Sequence, residues 1–371
     1  MCRSCSIADS VAHLTIQFQE GMTMNTAPAT IDDVTAAWVA EATGLAVTDI
    51  STELIGVGIG VSSAVYRLTL TGTDVPDTLV LKLPALDEAA VFTSSMLRLY
   101  YREVKFFDEL ASESPIKVPR GYGGGCNDDG TGYYLFMEDM GGHRIVDQLE
   151  GMEIADAEEA VDELAKWHAQ FWGKAEHHVE TGAAVSIADD VYRAVLPLVF
   201  AEGWDKVQAE MDVHPTIADV ASRWLPKLDE MLDKLSTPPT TVLHGDYRAD
   251  NIFFDSDGKV VLLDFQITGL GTASSDLAYF ITQSLLPEVA AANEQALFDR
   301  YIAGLIAAGV PEAETGRLWE DYRVAALFCL VYPIVASRGM DLTDPRQYEL
   351  INIMNQRCAR AVDDLDLRDL L

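Results

Sequence analysis

The stretch Thr241–Asn251 reads TVLHGDYRADN, and thirteen residues past Asn251, within VVLLDFQ (Val260–Gln266), comes Asp264. One segment therefore gathers His244, Asp246, Asp250 and Asn251 just after a strand-like run, and a further carboxylate ends the next apolar run. Polar groups crowded at strand ends are costly unless water, a metal or a ligand satisfies them. Asp246 and Asn251 are five residues apart, on a loop between two strand-like runs. A short hairpin of Ile252–Phe254 with Val260–Leu263, turned at Asp255-Ser-Asp-Gly258, can bring Asp264 back beside Asn251. A lone Asp or Asn in a loop is usually a turn or cap residue. The whole pattern, His-Gly-Asp, four residues, Asn, hairpin, apolar-Asp-Phe-Gln, is far more specific.

The rest of the chain sets bounds on what this constellation can do. With 371 residues, 49% of them hydrophobic, it suits two domains or one large bilobal domain with ample core. No apolar run reaches the roughly 18 residues of a membrane helix. The longest, Val324–Ala336, contains Pro333 and reads as a buried helix. The net charge of −33 argues against nucleic acid as partner, because phosphate backbones need clustered Lys and Arg. It permits a cationic substrate, but a solubilising surface explains it better. The five cysteines are scattered, and Cys2-x-x-Cys5 has no second pair at zinc-ribbon spacing. Such usage suits a reducing cytoplasm. Residues 1–29 lack the pattern of a signal peptide and are expected to form a disordered leader, with Met22 or Met24 as alternative starts. Oligomeric state is not legible.

Along the chain, Thr30-Ile-Asp-Asp33 has the form of a capping box, so Thr30 is expected to cap a first helix that Gly44 ends. Ser51–Val57, Ala64–Thr71 and Thr78–Leu83 read as three antiparallel strands. A helix is expected at about 94–113, then strands near Val118–Gly123 and Tyr133–Glu138. After Met140-Gly-Gly142 the pattern turns helical. Val161, Leu164, Ala165, His168, Phe171 and Trp172 form one stripe, and His168 and Trp172 read as core. Further helices are expected at about 187–203, 215–235, 275–286, 289–308, 314–337 and 345–366. The expectation is an α+β, bilobal chain: a β-rich lobe with an inserted helix at 30–140, and a large helical lobe at 141–371.

Phosphoryl transfer from ATP needs an orienting carboxylate near the acceptor hydroxyl, oxygen ligands for Mg²⁺, and a cation on the phosphates. Asp246, Asn251 and Asp264 can supply the first two. HGDYRADN followed by LLDFQ resembles the aminoglycoside phosphotransferase and choline kinase group, which has a protein-kinase-like fold. DFQITGLGTASSDLAYF (Asp264–Phe280) is more similar to its ecdysteroid kinase-like branch. The resemblance runs from about Ile55 to Phe280. It implies that Asp246 is the catalytic carboxylate, that Asn251 and Asp264 hold Mg²⁺, and that Asp276 and His244 support the catalytic loop.

The first lobe fits the same scheme. Lys82 lies inside the apolar strand VLKLP, where a Lys is seldom buried without a partner. An edge-strand Lys reaching water is the plainer reading. Glu103, in YYREVKFF of the next helix, favours the Lys–Glu pair that kinases use to hold ATP phosphates, with Glu109 as the alternative partner. Gly56-Val-Gly-Ile-Gly60-Val-Ser-Ser63 joins two strands, so Gly58, Gly60 and Ser62 are expected to approach the phosphates. A dinucleotide fold would need a helix directly after that loop, whereas SAVYRLTL reads as a strand. Tyr133–Gly142 resembles a hinge whose backbone, from Glu138 to Met140, binds adenine.

These expectations describe an ATP- and Mg²⁺-dependent kinase of a small hydroxylated molecule. Only eleven residues separate Asp264 from Asp276, and no Ala-Pro-Glu follows, so a protein kinase's peptide platform has no room. A non-catalytic nucleotide-binding protein on the same fold is the reading of another class, but Lys82, Asp246, Asn251 and Asp264 are all present. The acceptor stays open. Tyr192, Phe200, Trp204, Met211 and Trp224, in the stretch 186–236, favour a bulky apolar or steroid-like alcohol. The many carboxylates there favour an aminoglycoside or choline-type cation.

Overall fold

A computed structural model describes residues 27–55 and 62–371. Residues 1–26 of the expected leader, with Met22 and Met24, and the loop glycines Gly56, Gly58 and Gly60 lie outside the described residues. The described residues divide into two compact units: one holds those of 27–143 and Val261–Ile267, the other Arg144–Val260 and Thr268–Leu371.

The smaller unit is built on a five-stranded sheet. Its strands are β1 (Ala46–Ile55), β2 (Ser63–Thr73), β3 (Thr78–Pro84), β4 (Gly121–Cys126) and β5 (Tyr133–Glu138), in the order β1-β2-β3-β5-β4. All four pairings are antiparallel. Side chains alternate faces along a strand. Leu79, Leu81 and Leu83 therefore join Leu68, Phe136 and Val39 in one core layer. Val80 joins Tyr100, Val104, Tyr133 and Leu135 in the layer on the other face. Period two puts Lys82 with Val80, on the side of the helix that carries Tyr100 and Val104.

Two local readings need correction. Thr30 caps only one 3₁₀ turn, Ile31–Asp33; the helix Ala36–Thr43 starts from its own cap, Thr35, whose side chain accepts from the Trp38 N–H. Gly44 does end that helix, in the left-handed conformation (φ 70°) that favours glycine. The single helix expected at 94–113 is four pieces: Glu88–Met96, Leu99–Lys105, a π turn Phe106–Leu110 and a 3₁₀ turn Ala111–Glu113. Asp87 caps the first, and Arg98, at φ 58°, breaks the chain before the second.

The larger unit is mostly helical. The stripe on Ile154–Gln170 is buried as expected, and this helix packs on Pro287–Ala307, where Gly304 lies against Ala165. Ser274–Ser284 is almost wholly buried and packs on Leu318–Phe328. The expected 215–235 helix breaks around Pro226 into Pro215–Trp224 and Leu228–Leu235, because proline offers no N–H to the preceding turn. The expected 314–337 helix divides likewise into Glu312–Thr315, Leu318–Phe328 and Val331–Ala336. Among the described residues no helix is long and apolar enough to cross a membrane. Gly269–Gly271 pairs antiparallel with Thr241–Leu243 and parallel with Val185–Ser186, which anchors the strand that precedes His244.

Gly203, in the helix Asp190–Glu210, sits flush against the chain at Ile334: a β-carbon there would lie 2.0 Å from the Ile334 carbonyl oxygen. Gly203→Ala should force the two helices apart and destabilise the fold by about 1–3 kcal/mol. Urea unfolding checks this, and an unchanged midpoint would mean that the contact yields freely.

Candidate active site

The smaller unit contains a buried polar cluster around Glu103. Lys82 Nζ donates to Glu103 Oε1 at 2.5 Å. The Tyr133 hydroxyl donates to Glu103 Oε2 at 2.5 Å, and Gln266 Nε2 reaches the same oxygen at 3.1 Å. Glu103 is fully buried and Lys82 is 7% exposed. The expected partner is thus the observed one, and Glu109 instead pairs with Lys105 at 2.9 Å. Lys82 also lies 3.5 Å from Asp264, whose side chain is 36% exposed. Burial works against the Lys82 charge, but Asp264 and then Glu103 outweigh it and hold the ammonium protonated above its usual range. Burial pushes the Glu103 carboxyl up, against the pull of Lys82.

Asp264 adopts φ 64°, a left-handed conformation uncommon for a residue with a β-carbon. The next side chain, Phe265, is fully buried and stacks on Phe106, centroids 3.4 Å apart. Phe107 meets Phe265 edge-on at 6.3 Å. The π turn thus supplies consecutive aromatic residues to one ring. The third residue, Gln266, accepts from the Ser62 hydroxyl and donates to the Ser63 hydroxyl at 2.7 Å. Ser62, expected to face phosphate, is engaged with Gln266 here.

At the expected hinge the Glu138 N–H donates to the Arg120 carbonyl at 2.9 Å, and its carboxylate accepts from the Arg120 N–H. Glu138 is thereby tied to Arg120, just before β4. Met140 is buried, and its carbonyl accepts from the His143 N–H. Asp139 holds Arg67 at 2.6 Å and the Gly141 N–H at 2.9 Å, which shapes the bend. Cys126 is buried, and burial, then Asp129 and Asp128, pushes its thiol up to about 12, so it is no nucleophile.

In the larger unit the loop after Thr241–Leu243 hangs on a buried carboxylate. Asp276 Oδ2 accepts from the His244 N–H at 2.7 Å, and Oδ1 from the Gly245 N–H at 2.9 Å. The ring of His168 is 3.2 Å from Asp276 through Nε2 and 2.6 Å from the Tyr301 hydroxyl through Nδ1. His168 is core, as read from the stripe, and it braces the loop as well. The Asp246 N–H in turn donates to His244 Nδ1 at 3.2 Å.

Asp246 is held on both oxygens. Arg248 Nε donates to Oδ1 at 3.0 Å, and Asn251 Nδ2 donates to Oδ2 at 2.7 Å and to the Asp246 carbonyl at 2.9 Å. The Tyr279 hydroxyl lies close to the carboxylate and favours its charged form. Burial pushes the Asp246 carboxyl up, but Arg248, His244, Asn251 and Tyr279 together bring it below its ordinary value. With Nδ2 committed to Asp246, the Asn251 Oδ1 takes part in no hydrogen bond among the described residues.

Sequence reasoning missed Gln266, Tyr133, Arg248 and Tyr279. Arg248 lies inside the quoted loop, two residues from Asp246, and Gln266 ends LLDFQ; both positions were legible but unassigned. Two aromatic expectations fail. Phe200 and Trp224 are fully buried and stack on each other at 4.4 Å, and Trp224 donates to the Leu327 carbonyl. They are core, because their faces pack on each other rather than on open space. Tyr279 instead stacks on Tyr332 at 3.7 Å beside Asp246, and Tyr192 lies near Tyr332.

Comparison with known proteins bears on this arrangement. Residues 53–309 match the model of the phosphotransferase enzyme family. Among solved structures, the fold is similar to that of an aminoglycoside phosphotransferase in complex with GDP and kanamycin, at 13% identity and TM-score 0.54, covering 86% of this chain and 97% of that one. It is similar to a choline kinase from Streptococcus pneumoniae, at 14% identity and TM-score 0.52, covering 89% and 98%. It is also similar to a choline kinase from Cryptosporidium parvum, at 10% identity and TM-score 0.50, covering 86% and 90%. No curated protein sequence matches the chain.

Breaking a buried ion pair from one side leaves a desolvated charge, and costs about 3–5 kcal/mol. Glu103→Ala should destabilise the protein by that order, while the double change Lys82→Met with Glu103→Leu should cost less than the two single losses summed. A urea-unfolding double-mutant cycle with additive losses would show that the pair contributes nothing.

Proposed function

The chain belongs to the phosphotransferase enzyme family, and on that premise we propose that it is an ATP- and Mg²⁺-dependent kinase of a neutral, bulky apolar alcohol. The coarser statement, a phosphotransferase that acts on a hydroxyl of a small molecule, follows from the family; the acceptor class is our own reading. It rests on one observation: the two carboxylates that the Asp246 loop and the helix Ser274–Ser284 bring beside it, Asp250 and Asp276, are both paired. Arg248 neutralises it; Asp250 is tied to Arg248 and to the Gln148 N–H; Asp276 is spent on His168 and two backbone N–H groups. A cationic acceptor would need free negative charge there. The nearby side chains are instead the rings of Tyr279 and Tyr332. Aromatic faces bury apolar groups well, at about 25 cal/mol per Å² removed from water.

In this reading Asp246 orients the acceptor hydroxyl and takes its proton as the oxygen bonds to the γ-phosphorus. The bond from that phosphorus to the bridging oxygen breaks, and ADP leaves. Lys82, charged and fixed by Glu103, serves the nucleotide phosphates. Gly58, Gly60 and Ser62 keep their assignment to the phosphate loop, and the backbone at Met140 its assignment to adenine.

The donor chemistry fits a hard cation. Asp264 offers a partly exposed carboxylate, and Asn251 an amide oxygen that makes no hydrogen bond among the described residues. Among the described residues no group of three or more His, Cys, Asp or Glu is arranged to hold a metal. That agrees with Mg²⁺, which uses one or two protein oxygens and completes its shell from phosphates and water. When bound, Mg²⁺ supplies charge neutralisation on the phosphates. The buried free cysteines Cys126, Cys329 and Cys358 support a reducing, cytoplasmic setting for the reaction.

ADP release with MgATP and a panel of hydroxylated lipids, steroids, aminoglycosides and choline tests the acceptor class. The steroids and lipids should turn over; turnover of the cations alone would reverse the assignment. Asp246→Asn should lower kcat by about 10²–10⁴-fold, and Asp264→Ala should abolish turnover with the fold intact by circular dichroism. Lys82→Ala should weaken ATP use more than Glu103→Ala, since it removes the charge itself.

A further inference from the structure

We propose that Arg248 is a positioning residue for the transfer: its guanidinium fork fixes the Asp246 carboxylate from a buried anchor. The inference rests on the reading of Asp246 as the proton-accepting carboxylate. Asp246 has few ways to be held. It follows a glycine with φ 84°, and its loop makes no regular secondary structure until Ala249. A carboxylate on such a loop needs side-chain contacts to keep one rotamer.

Arg248 provides the contact and carries its own bracing. Nε meets Asp246 Oδ1 at 3.0 Å, while Nη1 donates to both Asp250 Oδ2 and Gln148 Oε1. Gln148 is 1% exposed. Its N–H donates to Asp250 Oδ1 at 3.1 Å, and its Nε2 donates to the Gln283 carbonyl at 3.3 Å. The Ala249 N–H donates to the Ser284 hydroxyl at 3.0 Å. The guanidinium is therefore tied, through Gln148 and Ala249, to the buried end of the helix Ser274–Ser284. The same helix supplies Asp276 and Tyr279 to the loop.

The planar fork is what this geometry uses. One edge faces Asp246 while the other is spent on Asp250 and Gln148, and an ammonium, a point donor, cannot span both. Lysine at position 248 would keep the charge and lose the alignment. Arg248 also explains why Asp246 and Asp250, two carboxylates four residues apart, coexist beside one site without repulsion.

The experiment follows ADP release from MgATP, with whichever panel alcohol turns over or with water as acceptor, in Arg248→Met, Arg248→Lys, Arg248→Ala, Gln148→Leu and Asp246→Asn. Displacing a reacting group by about 1 Å costs about 10²-fold. We expect Arg248→Met to lose about 10- to 100-fold in kcat, with KM for ATP within about 3-fold of wild type. Arg248→Lys should recover only part of the loss, and non-denaturing guanidinium should restore Arg248→Ala. Gln148→Leu should show a smaller loss in kcat, again with KM unchanged. A raised KM for ATP at unchanged kcat would overturn the inference and make Arg248 a nucleotide contact. A lowered melting temperature, with kcat restored on cooling, would make it merely structural. Wild-type turnover by Arg248→Met while Asp246→Asn is dead would sink this inference and leave the function standing. An active Asp246→Asn, or a wild-type protein that releases no ADP with any acceptor, would sink the function and the inference together.

Discussion

Glu103 is a carboxylate with no exposed surface, and the smaller unit is organised by the need to satisfy it. A buried charge is tolerated only with a partner of opposite sign and with its lone pairs occupied. Lys82, Tyr133 and Gln266 meet that need from three separate segments: strand β3, strand β5 and the DFQ stretch. Once Glu103 is placed, those segments cannot shift independently. Lys82 is thereby aimed, Asp264 is set 3.5 Å from its ammonium, and Phe265 is seated on the ring of Phe106. A half-satisfied version of this cluster would be worse than an apolar core, so the cluster is all or nothing.

The larger unit repeats the device with Asp276. One oxygen holds the His244 N–H and the other the Gly245 N–H, while His168 approaches from the helix Ile154–Gln170. The Thr241 hydroxyl donates to the carbonyl of that same His168 at 2.8 Å. A buried carboxylate thus sets the backbone two residues ahead of Asp246, and the Asp246 side chain is then fixed by Arg248 and Asn251. In both units a buried acid does the bracing, and a more exposed acid, Asp264 or Asp246, is held nearby.

The charge of −33 reads differently in this light. Composition alone admits a substrate-attracting acidic site. The acids nearest Asp246 are instead consumed by Arg248, His168 and backbone N–H groups. Other acids make ion pairs on the exposed surface, such as Arg193 with Asp229 and Asp233, or Arg300 with Asp162. Surface pairs of that kind are worth little in stability.

The sequence by itself determined the elements whose signal is local. Alternation in VLKLP places Lys82 on one face, the stripe from Val161 to Phe171 makes a buried helix, and Gly44 ends the first one. The spacing of Asp246, Asn251 and Asp264 carries the expectation of phosphoryl transfer, because hairpin and loop lengths constrain it before anything packs. Only the tertiary structure decided the rest. Pro226, Arg98 and the π turn at Phe106 broke helices that periodicity had drawn whole, since apolar stripes continue across a break when both pieces face one core. Phe200 and Trp224 look like pocket residues in the sequence, yet stack into core, because an aromatic ring's exposure depends on what lies opposite it. Gln266, Tyr133, Arg248 and Tyr279 carry no periodic signal at all. Their roles come from hydrogen bonds to residues up to 204 positions away, and a polar partner at that separation exists only once the chain has folded.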